Sequence, residues 1–352
     1  MGNSRVRPGR SRSVTAAIVT TAVLALAACA PSDDPDSAPT PSATTTPPPA
    51  VDTSTLRTMI DTFDVADRPP PTLVLEGPAE TLASERAESV SYLSGDATVT
   101  GVLRTPAGAS EDRPAVVVVH GSSDPDTYES GSDLAPEQRA LLDAGYVVLA
   151  VDMRGYAGSD AADIDSPAVD PGFGWTTTLD WGMALDVATA LSALRGGDVA
   201  SVDPERVGLL GHSLGGLLAL DAAVLAPGTS DLVIALSAPS SDLVGMLAQY
   251  EQSGADVFID EDAAAEFDEV YWADASPRTF FDRATEPLLL VHGGADDTTF
   301  AEWSQDTADA WTAAGNPAEA IILEGADHHF APRRDEVVQI VVQAFDEVLG
   351  SE

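Results

Sequence analysis

Short, almost wholly apolar segments recur along the chain from about residue 90 and alternate with segments of helical periodicity. The apolar segments are 90–93, 97–103, 115–119, 147–151, 207–210, 232–236, 288–291 and 320–323. Strands this apolar must be covered on both faces, and intervening helices supply that cover in a mostly parallel sheet. The first two segments flank Ser94-Gly95-Asp96 and predict an opening antiparallel pair. We therefore expect an α/β fold on an eight-stranded, mostly parallel sheet flanked by helices.

Helices are predicted by apolar residues spaced three or four positions apart. One stripe comprises Leu179, Met183, Val187, Leu191 and Leu194, and another comprises Val337, Ile340, Val341, Ala344, Phe345 and Val348. Residues 241–284 separate two strands and are too long for a simple loop, so we interpret them as a small helical cap over the carboxyl edge of the sheet. The cap carries Tyr250, Phe258, Phe267, Tyr271, Trp272, Phe280 and Phe281. We expect these aromatic side chains to form the core of the cap rather than substrate contacts.

The charge composition excludes several classes of function. The 352 residues include 17 basic side chains, all arginine, and 57 acidic ones, for a formal net charge of −40. Without lysine, the chain cannot have a P-loop lysine, a Schiff base or a Ser-Lys dyad. The negative charge repels nucleic acid, so we expect no nucleic-acid partner and no preference for anionic substrates.

The N-terminal residues have the pattern of an export signal. Four arginines within residues 1–12 precede an apolar run at 14–28, which ends in Leu26-Ala27-Ala28-Cys29. This ending resembles a bacterial lipobox, and Cys29 is the only cysteine, so it has no intramolecular disulfide partner. We expect a signal peptide at 1–28, a lipid on Cys29 and an extracytoplasmic protein anchored to the outer face of the cell membrane. The alternative is an ordinary secretory signal with a chance cysteine.

A polar segment follows the signal. Residues 31–55 are rich in Pro, Ser, Thr and Asp, and such a composition buries too little apolar surface to fold. We expect a disordered tether over residues 29–67 and a folded domain over 68–352, which includes the cap at 241–284.

The segment Leu-Leu-Gly-His-Ser-Leu-Gly-Gly at residues 209–216 places a Gly-x-Ser-x-Gly pattern between a predicted strand and a predicted helix. This is the context of a nucleophile elbow, in which a tight turn presents a serine hydroxyl at the end of a strand. Ser213 is the predicted nucleophile. Its oxyanion hole should combine the N–H of Leu214 with an N–H of the loop after the strand at 115–119, where Ser122 is the favoured donor.

A serine nucleophile requires a base, and the base requires an acid that orients it. A carboxylate follows the strand at 288–291, in the sequence His-Gly-Gly-Ala-Asp-Asp at residues 292–297. A histidine pair follows the last strand, in Gly-Ala-Asp-His-His at residues 325–329. The candidates are Asp296 and His328, with Asp297 and His329 as neighbouring competitors that spacing alone does not separate.

From about residue 89 to its end, the chain resembles the α/β-hydrolases, and within them the catalytic domains of the prolyl oligopeptidase and dienelactone hydrolase branches. The matching segments are 118–121, 152–159, 211–216, 276–277, 290–296 and 325–328. The resemblance implies the α/β-hydrolase fold, favours Asp296 as the acid and His328 as the base, and assigns Asp152 and Arg154 to a structural turn. Two features depart from the pattern: no propeller precedes the domain, and Thr299-Phe300 stands where such proteins often carry Val-Pro.

These observations predict a serine hydrolase, either an esterase or a peptidase, that acts on a small ester or a short peptide through an acyl-enzyme. We expect no cofactor and no metal, because the histidines are dispersed apart from one adjacent pair, which cannot converge on one ion as helical i and i+4 ligands do. The alternative is a binding lipoprotein that retains the hydrolase scaffold without turnover. That alternative is disfavoured because all three triad candidates are present.

Overall fold

The computed structural model of the protein describes residues 57, 60, 64–95, 97–109, 112–160, 181–253 and 269–350. The strands are β1 (Val74–Pro78), β2 (Glu85–Ser94), β3 (Ala97–Pro106), β4 (Arg113–Val119), β5 (Val147–Asp152), β6 (Val202–His212), β7 (Val233–Leu236), β8 (Leu288–Gly293) and β9 (Ala318–Leu323). They form one sheet in the order β1-β2-β3-β5-β4-β6-β7-β8-β9. The first three strands are antiparallel to their neighbours, and β5, β4 and β6 to β9 are parallel.

The described helices alternate with the strands from β4 onward, as the sequence pattern predicts, and the last helix follows β9. They are α1 (Ala135–Ala144), α2 (Trp181–Arg195), α3 (Leu214–Leu225), α4 (Leu243–Ser253), α5 (Glu269–Ala275), α6 (Ala301–Ala313) and α7 (Arg334–Leu349). Short 3₁₀ turns occur at Val65–Asp67 and Pro277–Phe280. The stripe that begins at Leu179 therefore forms α2, although Leu179 itself lies outside the described residues, and the C-terminal stripe forms α7.

The central strands are buried on both faces. In β4, Val117 and Val119 belong to the apolar cluster that contains α2 and α3, whereas Val116 and Val118 belong to the cluster that contains α1 and α7. All four side chains are at most 2% exposed. Alternate residues of one strand thus face two helical layers, which confirms the mostly parallel sheet covered by helices.

The sheet has nine strands rather than the expected eight. The additional strand is β1, which among the described strands pairs only with β2 and carries Glu76, Gly77 and Pro78 within its five residues. Such an edge strand has one hydrogen-bonded neighbour and little buried surface, so its sequence lacks an apolar run. The opposite edge, β9, is only half-buried along most of its length, because no strand of the described ranges lies beyond it.

Packing against the domain begins before residue 68, where the sequence predicts that the domain starts. Ile60 is fully buried and joins the main apolar cluster. Arg57 forms an ion pair with Asp274 at 2.5 Å. The predicted signal peptide, Cys29 and the greater part of the tether lie outside the described residues, so their assignments stay predictions.

The described part of the cap packs beside the loop that follows β8. Tyr250, Trp272, Phe280 and Phe281 are at most 3% exposed. The Tyr250 hydroxyl donates to the carbonyl oxygen of Thr298 at 2.8 Å. These four rings are therefore packed inside the protein, as expected of cap core residues. The remaining aromatic candidates, Phe258, Phe267 and the side chain of Tyr271, lie outside the described residues.

The turn after β5 is held by buried charge. Arg154 forms a two-point ion pair with Asp186 of α2, with N–O distances of 2.9 and 2.6 Å. Asp152 accepts hydrogen bonds from the Tyr128 hydroxyl and from the N–H of Gly131, at 3.1 and 3.2 Å. Asp152 thereby anchors the long loop between β4 and α1. Asp152 and Arg154 therefore act structurally, in agreement with their assignment to a family turn.

Candidate active site

Ser213 stands between β6 and α3 in a strained backbone conformation. Its φ of 53° and ψ of −122° lie in a region that residues with a Cβ rarely adopt. Its N–H donates to the carbonyl oxygen of Leu236 on β7 at 2.8 Å. Neither Gly211 nor Gly215 has room for a Cβ atom. At Gly215, for example, a Cβ would overlap the backbone carbonyl of Val119. The tight turn therefore presents the serine hydroxyl at the carboxyl end of the sheet.

A chain of two hydrogen bonds starts at the Ser213 hydroxyl. Its Oγ lies 3.0 Å from Nε2 of His328, and Nδ1 of His328 lies 2.8 Å from Oδ2 of Asp296. A carboxylate can only accept, so Nδ1 carries the hydrogen and Nε2 is left to accept from the serine. The fold thus brings His328 to Ser213, 115 positions away in the sequence, and to Asp296, 32 positions away.

Asp296 is surrounded by donors. Its side chain is fully buried, and Oδ1 accepts the N–H groups of Thr298 and Thr299, both at 2.9 Å. Oδ2 lies 2.8 Å from the Thr299 hydroxyl and 3.2 Å from Nε2 of His292. Burial favours the neutral acid, but hydrogen bonds from His292, His328 and the Thr299 N–H outweigh it and hold the pKa of Asp296 well below its usual range.

The structure distinguishes Asp296 and His328 from the neighbouring candidates in the sequence. Asp297 and His329 are both exposed, and neither takes part in the hydrogen-bond chain that ends at Ser213. The His329 ring lies 5.2 Å from the His328 ring, centroid to centroid. Partial burial and the neighbouring imidazoles of His212 and His328 lower the pKa of His329. Geometry thus favours Asp296 and His328 over their neighbours.

The two predicted oxyanion donors lie beside the nucleophile. Leu214 is the first residue of α3, where an N–H has no acceptor within the helix. Ser122 follows Gly121 in the loop after β4, and a Cβ at Gly121 would lie 3.2 Å from the Cβ of Ser213. The glycine therefore allows this loop to approach the elbow closely, where a larger residue would be crowded.

Below this loop, His120 is buried and held at both ring nitrogens. Nε2 accepts the N–H of Met153 at 3.2 Å, and Nδ1 lies 2.8 Å from the carbonyl oxygen of Gly121. The ring stacks on Tyr128 with centroids 4.3 Å apart. Burial lowers the pKa of His120, so the neutral form is maintained.

A cleft of about 610 Å³ opens onto Ser213. One wall is the loop between β4 and α1, which includes Ser122 and Tyr128, and the other includes Thr298 and His329. Several lining side chains carry hydroxyl groups, and the described lining residues include carboxylates but no arginine. The described lining of the cleft therefore combines polar groups with apolar surface and carries no arginine charge.

Within the described ranges, no group of three or more His, Cys, Asp or Glu side chains is arranged to hold a metal ion. Among the described helices, none is both long enough and apolar enough to cross a membrane. Cys29, the predicted lipidation site, lies outside the described residues.

Four residues of the site had no individual role assigned from the sequence. His292 and Thr299 surround the carboxylate of Asp296, and His120 and Asp133 hold the loop before Ser122. His120 and His292 each precede a glycine at the end of a strand, which is a usable signal. Thr299 stood out only as a departure from the family pattern, and the sequence offers no signal for Asp133, because the partners of both residues are set by the approach of loops.

Comparisons with known proteins agree with this fold. The sequence model of the alpha/beta hydrolase family matches residues 116–340. No curated protein matches the chain by sequence.

Solved structures resemble the chain at low sequence identity. Est1E from Butyrivibrio proteoclasticus is 18% identical with a TM-score of 0.53, over 75% of this chain and 99% of that one. Acetyl xylan esterase 1 from a Thermoanaerobacterium species is 17% identical with a TM-score of 0.60, over 82% and 92%. The acylaminoacyl peptidase of Pyrococcus horikoshii is 18% identical with a TM-score of 0.58, over 76% of this chain but 42% of the peptidase.

Proposed function

The chain belongs to the alpha/beta hydrolase family, and we propose that it is a serine hydrolase that cleaves an ester or amide bond through an acyl-enzyme. The observation that carries the proposal is the hydrogen-bond chain from Ser213 through His328 to Asp296. A strained serine at the end of a strand, a neutral imidazole acceptor and an ionised buried carboxylate are the three groups that acyl transfer requires.

In the proposed reaction, Ser213 Oγ attacks the carbonyl carbon while Nε2 of His328 takes the hydroxyl proton. The resulting imidazolium is stabilised by Asp296, whose carboxylate remains ionised. The proton then passes to the leaving oxygen or nitrogen, the bond to it breaks, and an acyl-serine remains. Water, deprotonated by the same imidazole, attacks the acyl-serine, and the acid product leaves with Ser213 restored.

Charge develops on the carbonyl oxygen during each attack. We assign its stabilisation to the N–H groups of Ser122, which follows the glycine that approaches the elbow, and of Leu214, which directly follows the nucleophile. Two preorganised donors at such a position contribute the largest share of the rate enhancement in this class of reaction.

We place an ester slightly ahead of a peptide as the substrate. The similarity to acetyl xylan esterase 1 covers 92% of that chain, whereas the similarity to the acylaminoacyl peptidase covers 42% of that one. The cleft of about 610 Å³ is of a size for a small ester or a short peptide. A cleft lined by carboxylates and hydroxyls without arginine disfavours an anionic acyl group.

We further propose that the enzyme is anchored by a lipid on Cys29 to the outer face of the cell membrane. The support is the lipobox-like sequence that ends in the only cysteine of the chain. Residues 31–55, rich in Pro, Ser and Thr, would hold the domain away from the membrane surface.

A fluorophosphonate probe tests the catalytic proposal directly. It should label the wild-type protein at Ser213 and fail to label Ser213→Ala, while parallel panels of nitrophenyl esters and peptidyl nitroanilides identify the bond cleaved. A protein that takes no label and turns over neither panel would instead be a binding lipoprotein on a hydrolase scaffold.

A further inference from the structure

Both polar atoms of the Gly121 backbone are held by side chains. The N–H donates to Oδ2 of Asp133 at 2.8 Å. The carbonyl oxygen accepts from Nδ1 of His120, also at 2.8 Å. The donor is assigned to Nδ1 because Nε2 already accepts the N–H of Met153. The loop is therefore fixed at the residue that precedes Ser122.

The direction of the Ser122 N–H follows from this anchoring. In a trans peptide, the N–H of Ser122 points opposite to the carbonyl of Gly121. That carbonyl faces the His120 ring, and His120 is only 3% exposed. The Ser122 N–H is thus directed away from the interior, on a loop whose Gly121 and Ser122 both line the cleft.

Asp133 joins this loop to the rest of the domain. Its Oδ1 accepts the N–H of Leu134 at 2.8 Å, directly before α1. Its Oδ2 lies 3.7 Å from Nδ1 of His212 in the elbow, which is beyond hydrogen-bonding distance. Burial opposes ionisation, but the facing His212 imidazole and the N–H groups of Gly121 and Leu134 hold the pKa of Asp133 well below its usual range. The Asp133 side chain is consequently ionised and accepts hydrogen bonds from both N–H groups.

We propose that Asp133 is a positioning residue for the oxyanion hole, which acts through Gly121 to fix the Ser122 N–H beside Ser213. This inference rests on the proposed function. An N–H that is placed for the oxyanion binds the transition state more strongly than the substrate, so its misplacement should lower kcat and leave KM nearly unchanged. A shift of about 1 Å in a catalytic donor can cost about a hundredfold in rate.

Three variants separate positioning from a general structural effect. Asp133→Ala removes the acceptor and should lower kcat about 10- to 100-fold for the best ester of the panel. Asp133→Asn keeps one oxygen for the Gly121 N–H and should recover kcat to within about fivefold of wild type. Both variants lose a carboxylate before α1, so their melting temperatures should be similar. The matched control is Asp124→Ala, which removes an exposed carboxylate from the same loop that accepts the Asp126 N–H at 3.0 Å.

A trifluoromethyl ketone analogue of the ester provides a second measurement, because its hemiketal oxygen occupies the oxyanion hole. Its inhibition constant should rise in Asp133→Ala by about the factor lost in kcat/KM, and should stay within twofold of wild type in Asp124→Ala. The inference is overturned if Asp133→Ala retains kcat and inhibitor affinity within threefold of wild type. It is also overturned if Asp133→Asn loses as much kcat as Asp133→Ala, since the effect would then follow the loss of charge.

Fluorophosphonate labelling distinguishes failure of this inference from failure of the proposed function. If wild-type protein neither labels nor turns over, the proposed function is wrong. Amide hydrogen exchange still measures the anchoring in that case. Exchange at Gly121 should be at least tenfold faster in Asp133→Ala than in wild type or Asp124→Ala, and equal rates in all three would overturn the anchoring.

Discussion

The hydroxyl of Thr299 lies 2.8 Å from Oδ2 of Asp296, the same oxygen that accepts from His328. Thr299 is 1% exposed, and its Oγ1 also lies 3.1 Å from the carbonyl oxygen of Ser237. A threonine at this position supplies one more donor to the buried carboxylate than the valine that such proteins often carry there.

Thr299→Val should lower kcat by about 3- to 10-fold. The substitution removes one of several donors to a carboxylate, and a single shared hydrogen bond of about 1 kcal/mol corresponds to about a fivefold change in rate. Thr299→Ser keeps the hydroxyl and serves as the control. Steady-state kinetics on one ester decides the question, and equal kcat values in the valine and serine variants would contradict a role for the hydroxyl.

Activity should decline at acid pH, because acylation needs a neutral base. Asp296 should not contribute to this acid limb. Its folded pKa lies well below the usual carboxyl range, so its negative charge is lost only at much lower pH. The profile of kcat/KM between pH 4 and 9 is the measurement, with EDTA as a control that should have no effect. Full activity retained at pH 5, or loss in EDTA that zinc restores, would count against this mechanism.

Asp221 gives a prediction on stability. It lies in α3, is 2% exposed, and its Oδ1 has no hydrogen-bond partner. Burial raises its folded pKa well above the usual carboxyl value, so stability falls as the pH rises from about 4, the unfolded value, through the folded pKa. Asp221→Asn should therefore match wild type near pH 4 and be more stable by about 1–3 kcal/mol at pH 8.

Urea unfolding of wild type and Asp221→Asn at both pH values measures this difference. Asp309→Asn is the control, because Asp309 is an exposed carboxylate on α6. A difference between wild type and Asp221→Asn that does not grow with pH would show that the carboxyl ionises over the same pH range in the folded and unfolded protein, so that folding does not raise its pKa.

The sequence predicted the parts of the structure whose signal is local. The apolar strands are recognisable because both faces of β4 are buried, and Ser213 is recognisable because a strand, two glycines and a helix surround it. The candidate acid and base follow β8 and β9, whose carboxyl ends meet at one edge of a parallel sheet.

What the sequence did not predict depends on contacts between segments. The strand β1 was missed because Gly77 and Pro78 carry no strand signal and because β2 is its only neighbour among the described strands. The role of Asp133 is set by the approach of its carboxylate to Gly121, 12 residues earlier, and no periodicity marks that contact. Edge strands and side chains that fix loop backbones are thus defined by tertiary packing rather than by local pattern.

Cys29→Ser should release the protein from the membrane into the medium. The proposed diacylglyceryl group with added N-acylation provides enough buried CH₂ groups for stable anchoring, whereas a single acyl chain binds only marginally. Cell fractionation and metabolic labelling with a fatty acid analogue are the measurements. A wild-type protein that takes up no analogue and is found soluble outside the cell would contradict the lipid anchor.

Adjacent residues provide the sharpest test of the catalytic assignment. Ser213→Ala and His328→Ala should each lower kcat by about 10⁴ or more, because the nucleophile or base of a triad is removed. His329→Ala should cost far less, since the exposed His329 ring takes no part in the hydrogen-bond chain to Ser213. The same reasoning sets Asp296→Asn, which loses the correct tautomer of His328, against the exposed Asp297→Asn.

Circular dichroism on each of these variants first establishes that the fold is retained, and ester turnover is then measured with a common substrate. An inactive His329→Ala beside an active His328→Ala would place the base one position later. Near-wild-type turnover in Ser213→Ala would remove the nucleophile and, with it, the acyl-enzyme mechanism. The two residues of each pair, Asp296 with Asp297 and His328 with His329, are neighbours in the same loop. If both variants of a pair lose activity equally, the reaction depends on the loop as a whole rather than on the one side chain assigned to it.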